Sequence, residues 1–367
     1  MAAAVKLLIN QLCCHFTGHK IKPLVSVFPR LFHATDHVSD VRLTKTWRLK
    51  VEPFWKLRVN VCGCNVYVES FDPNVNLDGK EMHVYLKGSE GADSYNIVDQ
   101  SKIKTISISN TNEGGNLDKL CIKVPVAFNI DICSKNSAVI SVSSLESNCV
   151  SVEAENGDIH VKNLKGKAIT LQAKKGTIIS KTLLQGNLSL NGCSMIKTDR
   201  LQGPSIQLTS NSSIFTQDIY AEDVTIQARN TVGIKSMHGN SKIFSEGDIN
   251  IGTLEGKSNI SSAKGAVNVY IANPTPVAVI SDNIQISAPS DLTANLNFNA
   301  SILDIPEYIS QQSTSSQMDH ELRAELNGGG PVIQALAKHR FKFAIKTWLE
   351  RTMEYRKLEK TFADDQP

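Results

Sequence analysis

Two aspartates and a lysine are the residues of this sequence whose types and spacing best suit catalysis. Asp199, Asp218 and Lys235 follow one another at intervals of 19 and 17 residues. If segments of this length stack, the two carboxylates face each other on neighbouring segments, with the ammonium group beside them. Paired carboxylates can act as general acid and general base, as in the hydrolysis of polysaccharides. Such a site requires a repeating architecture.

The apolar residues repeat at the same interval. One phrase recurs with identical internal spacing, as in Ile140, Val142 and Leu145 and again in Ile159, Val161 and Leu164, Val232, Ile234 and Met237, and Ile249, Ile251 and Leu254. The first inward residues form a series spaced by 16 to 20 residues: Ile106, Ile122, Ile140, Ile159, Ile179, Ile196, Phe215, Val232, Ile249, Val267, Ile284 and Ile302. Segments this short cannot bury an apolar face alone, so they must stack.

Each phrase continues through a corner into a second strand. The second apolar anchor stands five residues after the first in the seven central phrases, at Leu145, Leu164, Leu184, Leu201, Tyr220, Met237 and Leu254. In five of these seven repeats, a glycine follows two residues after the anchor. Glycine at a fixed position is typical of a turn with a positive φ. A second alternating pair comes next, for example Ile169 and Leu171. The pattern predicts an all-β, single-stranded parallel β-helix (β-solenoid) of either hand, with about twelve or more coils and end caps. A β-sandwich is the alternative.

The N-terminal segment has a different composition. No Asp or Glu precedes Asp36, and apolar residues at 5, 8, 9, 12 and 16 share one helical face. A basic, acid-free, amphipathic N-terminus predicts a mitochondrial transit peptide over 1–35 and a location in the matrix. A secretory signal and an unprocessed tail are the alternatives. Four Asn-x-Ser sequons, at Asn187, Asn211, Asn259 and Asn299, would be occupied only on the secretory route.

The rest of the chain divides by composition. Trp47 and Trp55 are interpreted as plugs for the open end of the core, with a stacking platform for a base or sugar as the alternative. The predicted segments are a connector over 36–46, an N-terminal β cap with irregular early coils over 47–116, the regular solenoid over 117–304, a polar loop over 305–330, and a C-terminal cap and tail over 331–367.

Composition and motifs argue against several functional classes. A net charge of +3 does not indicate a nucleic-acid partner, and no apolar run reaches the roughly 18 residues of a membrane span. The eight cysteines include no Cys-x-x-Cys pair and are interpreted as reduced thiols. The nine histidines lack metal-ligand spacing, so no metal or cofactor is predicted.

The repeat also resembles that of a known family. The pattern Gly-Asp-Ile-x-Val followed by Leu-x-Gly, seen from Gly157 to Gly166 and from Gly247 to Gly256, is similar to that of the adhesin-type family of bacterial β-solenoids. The resemblance covers about residues 105 to 300. It implies the solenoid fold and supplies no catalytic or ligand-binding residue.

The sequence therefore predicts a non-enzymatic β-solenoid that acts as a scaffold or binding protein, with a protein partner and a mitochondrial address. The alternative is a carbohydrate-active β-helix enzyme or a secreted adhesin-type surface protein. In the enzyme, Asp199, Asp218 and Lys235 would be the catalytic candidates. Exposed carboxylates flanked by lysine are more typical of a solvated surface.

Overall fold

The fold is a continuous parallel β-solenoid. A computed structural model describes residues 43–72, 79–88, 94–110, 118–136, 139–307, 309, 320–347, 349–350 and 353, so the predicted transit peptide lies outside the described residues. All strands belong to one sheet that winds around a core. The predicted all-β solenoid is confirmed.

A 3-10 helix spans Ser101–Ile103, and the strands have the following bounds: β1 Leu43–Lys50, β2 Lys56–Cys62, β3 Cys64–Ser70, β4 Glu81–Lys87, β5 Tyr95–Gln100, β6 Thr105–Asn110, β7 Asp118–Val124, β8 Asn129–Lys135, β9 Val139–Ala154, β10 Asp158–Ala173, β11 Ile178–Gly192, β12 Ile196–Ser210, β13 Ile214–Ala228, β14 Val232–Ser245, β15 Ile249–Glu255, β16 Ser258–Ser262, β17 Ala266–Ile271, β18 Val277–Ala288, β19 Ala294–Asn299, β20 Ile302–Asp304, β21 Glu321–Leu326 and β22 Val332–Ile345.

The central coils are single long strands that turn a corner halfway. In β10 the first half pairs in parallel with the first halves of β9 and β11, and the second half pairs with their second halves. The sheet therefore has two faces, which we call the first face and the second face after the half of the strand that forms them. Neighbouring coils are separated by about 4.8 Å, the spacing of hydrogen-bonded strands.

Six inward positions per coil fill the core. In β10 the first face supplies Ile159, Val161 and Leu164, and the second face supplies Ile169, Leu171 and Ala173. None of these side chains is more than 3% exposed. Burying one large aliphatic side chain of this kind contributes about 1.5–3 kcal/mol. The apolar columns are therefore the main stabilising element of each coil.

The predictions for three inward residues and for one anchor are wrong. Ile178 and Ile214 are buried instead of Ile179 and Phe215, and Ile302 is 57% exposed. The anchor of β13 is Ile219, while Tyr220 points outward with 39% of its surface exposed. At each of the first two sites and at the anchor, two apolar residues are adjacent, so alternation alone does not decide which one points inward.

The corner glycines are required mainly by close packing between coils. A Cβ atom on Gly203 would lie 1.8 Å from the carbonyl oxygen of Gly186, and one on Gly186 would lie 1.9 Å from that of Gly166. Of the five glycines at this position, Gly186, Gly239 and Gly256 have a positive φ. The predicted reason, a positive φ, therefore applies to only these three. At Gly203, the backbone of the stacked coil excludes a side chain.

The Gly-Asp-Ile motif also has a role between coils. The Asp158 carboxylate accepts a hydrogen bond from the Thr177 backbone N–H of the next coil at 2.7 Å. Asp248 accepts one from Ala266 in the same way at 2.8 Å. Each aspartate thus satisfies a corner N–H that the strand ladder leaves unpaired.

The C-terminal strand lies inside the stack. β22 pairs in parallel with β18 on one side and with β19 and β20 on the other. The outer edge of β19 is covered by the antiparallel strand β21. The prediction that residues after 330 form a cap over the last coil is wrong for β22, because this strand is an interior rung.

The N-terminal end has an equivalent arrangement. β2 lies between β6 and β8, and β3 lies between β7 and β9, all in parallel. The outer positions are taken by antiparallel strands, since β4 pairs with β7, β1 with β4, and β5 with β6. Strands from both ends of the described chain are therefore inserted between coils.

Removal of β22 should disrupt folding at the C-terminal end. A chain that ends at Gly330 loses the buried side chains of Ile333, Phe341 and Phe343 and leaves facing edges of β18 and β19 unpaired. We expect this variant to lose the cooperative thermal transition seen by circular dichroism in a control chain that ends at Thr347. Identical melting curves for the two chains would contradict the inserted position of β22.

Candidate functional site

The two candidate catalytic aspartates do not face each other. The strand register pairs Asp218 with Arg200, not with Asp199. The strand partner of Asp218 is Ser236, and Ile234 pairs with Thr216. Lys235 lies between these two residues, so it is displaced from Asp218 by one position along the strand. The expected column is wrong because it was counted from Tyr220 rather than from the true anchor, Ile219.

Asp199 has a structural role. Its carboxylate accepts a hydrogen bond from the backbone N–H of Thr182 at 2.8 Å. Thr182 has a φ of +68° and sits where the register of β11 and β12 shifts. The carboxylate therefore caps an irregular turn in the preceding coil, and the carboxylate pair needed for acid–base catalysis is not formed.

A different column of side chains does come together on the first face. The register aligns Gln202, Tyr220, His238 and Glu255 on consecutive coils. The rings of Tyr220 and His238 stack with centroids 4.5 Å apart, and His238 Nδ1 lies 2.9 Å from the Glu255 carboxylate. The Arg200 guanidinium lies 5.8 Å from the centroid of the Tyr220 ring. Sequence reasoning missed this ladder because it placed Tyr220 in the core.

The ladder is better suited to ordering the surface than to catalysis. The Tyr220 ring is stacked against His238 and also contacts Arg200, and His238 is already engaged by Glu255. Ring stacking and the partly exposed hydrogen bond between His238 and Glu255 each contribute about 1 kcal/mol. Neither contact supplies a nucleophile or a proton acceptor aimed at a substrate.

The second face carries a neutral region that the sequence analysis did not single out. Two outward columns cross β10 to β13 in register, and every member is an uncharged hydroxyl or amide. We call this set the neutral patch: Thr170, Gln172, Ser189, Asn191, Gln207, Thr209, Thr225 and Gln227. These side chains are exposed or half-exposed. Within the described chain none of them has a hydrogen-bond partner, so their polar groups are available to a ligand.

The same face becomes apolar toward the C-terminal end. Phe244 follows Gln227 in the outer column, and then come Ser261, Ile280 and Leu336. Phe244, Ile280 and Leu336, which we call the apolar strip, are 44 to 53% exposed. Ile280 and Leu336 are adjacent in this column, and Ser261 separates them from Phe244. Exposed apolar side chains grouped beside polar ones are typical of surfaces that bind other proteins.

A buried polar cluster lies near the N-terminal end. The Tyr95 hydroxyl donates to the Asp118 carboxylate at 3.3 Å, and the neighbouring Cys64 thiol donates to the Asn65 carbonyl at 3.4 Å. Burial raises the pKa of Cys64 to about 11. Burial likewise raises the pKa of Tyr95 and of Asp118. These shifts keep the thiol and the phenol protonated at neutral pH, so neither is a ready nucleophile.

The Asp118 carboxyl should make stability depend on pH. Because folding raises its pKa, its contribution to stability is fully present below the unfolded value, about 3.9, and is lost as the pH rises through the folded value. Asp118→Asn removes the charge and keeps an acceptor for Tyr95. We expect a higher free energy of unfolding than wild type at pH 7.5 and no gain at pH 4, measured by urea denaturation. Asp223→Asn, at an exposed site, is the control. An unchanged pH profile in Asp118→Asn would contradict the assignment.

The described residues contain no cluster of His, Cys, Asp or Glu arranged to hold a metal ion. Their six cysteines are all free thiols. In the part of the chain that the structure covers, no helix has the length and apolar character needed to span a membrane.

No family model matches the chain. Similar solved structures include a "putative adhesin" of Parabacteroides distasonis, with 13% identity over 83% of this chain and 98% of that chain and a TM-score of 0.33. A "putative adhesin" of Parabacteroides merdae has 10% identity over 83% and 96%, with a TM-score of 0.31. A "putative cell adhesion protein" of Clostridium sporogenes has 10% identity over 82% and 99%, with a TM-score of 0.20. At these identities and TM-scores, the similarity carries no inference about what this chain binds.

Proposed function

We propose that this protein is a non-enzymatic scaffold that binds a protein partner through the second face. The neutral patch and the apolar strip carry the proposal. Protein interfaces are depleted of charge at their centre and combine an apolar core with hydrogen-bonding groups at the rim. The second face offers both on a rigid surface about eight coils long, counted from β10 to β22 through β18.

The first face provides a contrast within the same molecule. Its outer positions include Lys162, Lys181, Lys197, Arg200 and Lys235, all exposed. Charges of this density remain hydrated and are costly to bury without partners. Both faces are built from the same strands, and the two columns of the neutral patch carry no charge from β10 to β13, which favours the second face as the binding surface.

Site-specific photocrosslinking tests this assignment. A photoreactive amino acid at Gln207, within the neutral patch, should yield a discrete protein adduct. The same amino acid at Lys197, on the first face, should yield none. Adding the changes Thr209→Arg and Gln227→Arg should abolish the adduct from Gln207, because both arginines would have to be desolvated in the complex. Equal adducts from both faces, or an adduct insensitive to the arginines, would contradict the proposal.

We also propose a mitochondrial location, based on the basic, acid-free sequence over 1–35. The secreted adhesin-type alternative makes the opposite prediction about glycosylation. The four sequon asparagines, Asn187, Asn211, Asn259 and Asn299, are all exposed, so the fold would not prevent a glycan from being attached. Occupancy therefore reports on the route taken.

Sequencing of the mature N-terminus and mass analysis of these four sites test the location together. We expect the mature chain to begin near Ala34 and all four asparagines to be unmodified, because N-glycans are attached only on the secretory route. A glycan on any of them would refute the mitochondrial address and support the secreted alternative.

A further inference from the structure

We propose that the N-terminal end of the described solenoid holds a pocket for a small polar molecule that carries an oxyanion, either a carboxylate or a phosphate. The pocket has a volume of about 470 Å³ and lies where β1 ends, β4 begins and β5 ends. This volume is within the range of small-molecule sites, roughly 300–1,000 Å³. The pocket is separate from the second face and does not depend on the proposed scaffold function.

Trp55, one of the residues that line this pocket, carries an orphaned hydrogen-bond donor. The Trp55 side chain is 9% exposed and packs into the core, which excludes the use of its ring as an open stacking platform. Its indole Nε1 is buried and has no hydrogen-bond partner among the described residues. An indole N–H can only donate, and an unsatisfied buried donor costs about 1–3 kcal/mol. A ligand acceptor in the pocket would remove this cost.

Two unpaired lysines stand at the same pocket. Lys50 is the last residue of β1 and pairs in register with Glu81, and the backbone N–H of Val51 donates to the carbonyl of Lys80 at 2.8 Å. The two lysines are therefore held on adjoining segments. Both are exposed, and in the described part of the chain neither forms an ion pair or a side-chain hydrogen bond. Together with the indole N–H they form a donor set suited to an oxyanion.

The carboxylates of Glu52, Glu81 and Asp99 also line the pocket and face the two lysines, so three negative groups stand against two positive ones. The Glu81 carboxylate lies 3.0 Å from Nε2 of His83, and the Asp99 carboxylate accepts a hydrogen bond from Ser101 at 2.5 Å. The carboxylate of Glu52 has no partner among the described residues. It is suited to an ammonium group of the ligand, so a molecule with an oxyanion at one end and an ammonium group at the other fits best.

Contact between a ligand and the indole N–H requires the groups that cover Nε1 to move aside. Nε1 itself exposes almost no surface, and the long side chains of Lys50 and Lys80 at the rim are exposed. Exposed lysines change rotamer within nanoseconds. The bound ligand would draw both ammonium groups inward, which couples occupancy of the pocket to the indole hydrogen bond.

The indole N–H resonances of the three tryptophans provide a direct test. Resonances of Trp47, Trp55 and Trp348 are assigned with single Trp→Phe variants, and the full chain is titrated separately with sodium glutamate and with sodium phosphate against equal ionic strength of sodium chloride. We expect a saturable downfield shift of the Trp55 resonance alone. A response to only one of the two anions identifies the oxyanion as carboxylate or as phosphate.

Lysine variants establish whether the site is the one described. The double variant Lys50→Gln and Lys80→Gln should weaken the apparent affinity at least tenfold. Lys102→Gln, an exposed neighbour that does not line the pocket, should leave it unchanged. Circular dichroism confirms that each variant is folded. The proposal is overturned if neither anion shifts the Trp55 resonance by 50 mM, or if the double lysine variant responds like wild type.

Discussion

Hydrogen bonding between successive coils is the constraint on which the rest of this structure depends. Each coil donates to and accepts from the coils on either side, so its backbone must repeat theirs closely. The constraint is most severe at the corners, where the backbone at Gly203 and Gly186 approaches too closely for any Cβ atom. It also explains why Asp158 and Asp248 recur, because a corner N–H that leaves the ladder needs an acceptor from the adjacent coil. The residues of the repeated motif are therefore required by contacts between coils.

The period of the solenoid and most of its core could be predicted from the sequence, because inward residues must be apolar in every coil. The register within a coil was less predictable. Ile178 and Ile179 are adjacent, as are Ile219 and Tyr220, and alternation does not say which member of such a pair is buried. The one-residue error at Tyr220 moved an exposed ladder into the predicted core. It also created a carboxylate pair that the structure does not contain.

The stacking of the central coils in sequence order could be predicted, whereas the positions of the inserted strands β2, β3 and β22 could not. An alternating segment such as β22 indicates a strand without indicating its neighbours, and parallel pairing does not require neighbours in sequence. The insertion of β22 between β18 and β19 becomes possible only after the chain has passed through β19, β20 and β21. A simple solenoid can fray from a free terminal coil. Here β22, the last strand of the described chain, is held on both edges, and β21 covers the edge of β19 that would otherwise be open.

The same constraint indicates where function can lie. Inward positions are fixed by packing, and corner positions by the close approach of coils, which leaves the outward columns free to vary. On the second face these columns contain the amide side chains of Asn191, Gln207 and Gln227. Of these residue types, Asn is depleted in strands, so strand propensity does not explain its presence. These amide groups form no hydrogen bonds within the described chain, and neighbouring coils would pair equally well with other residues there. Stability of the fold therefore does not account for the neutral patch. The proposed contact with a partner would account for it, because hydrogen-bonding groups that the molecule itself leaves unused would then be satisfied at little cost in desolvated charge.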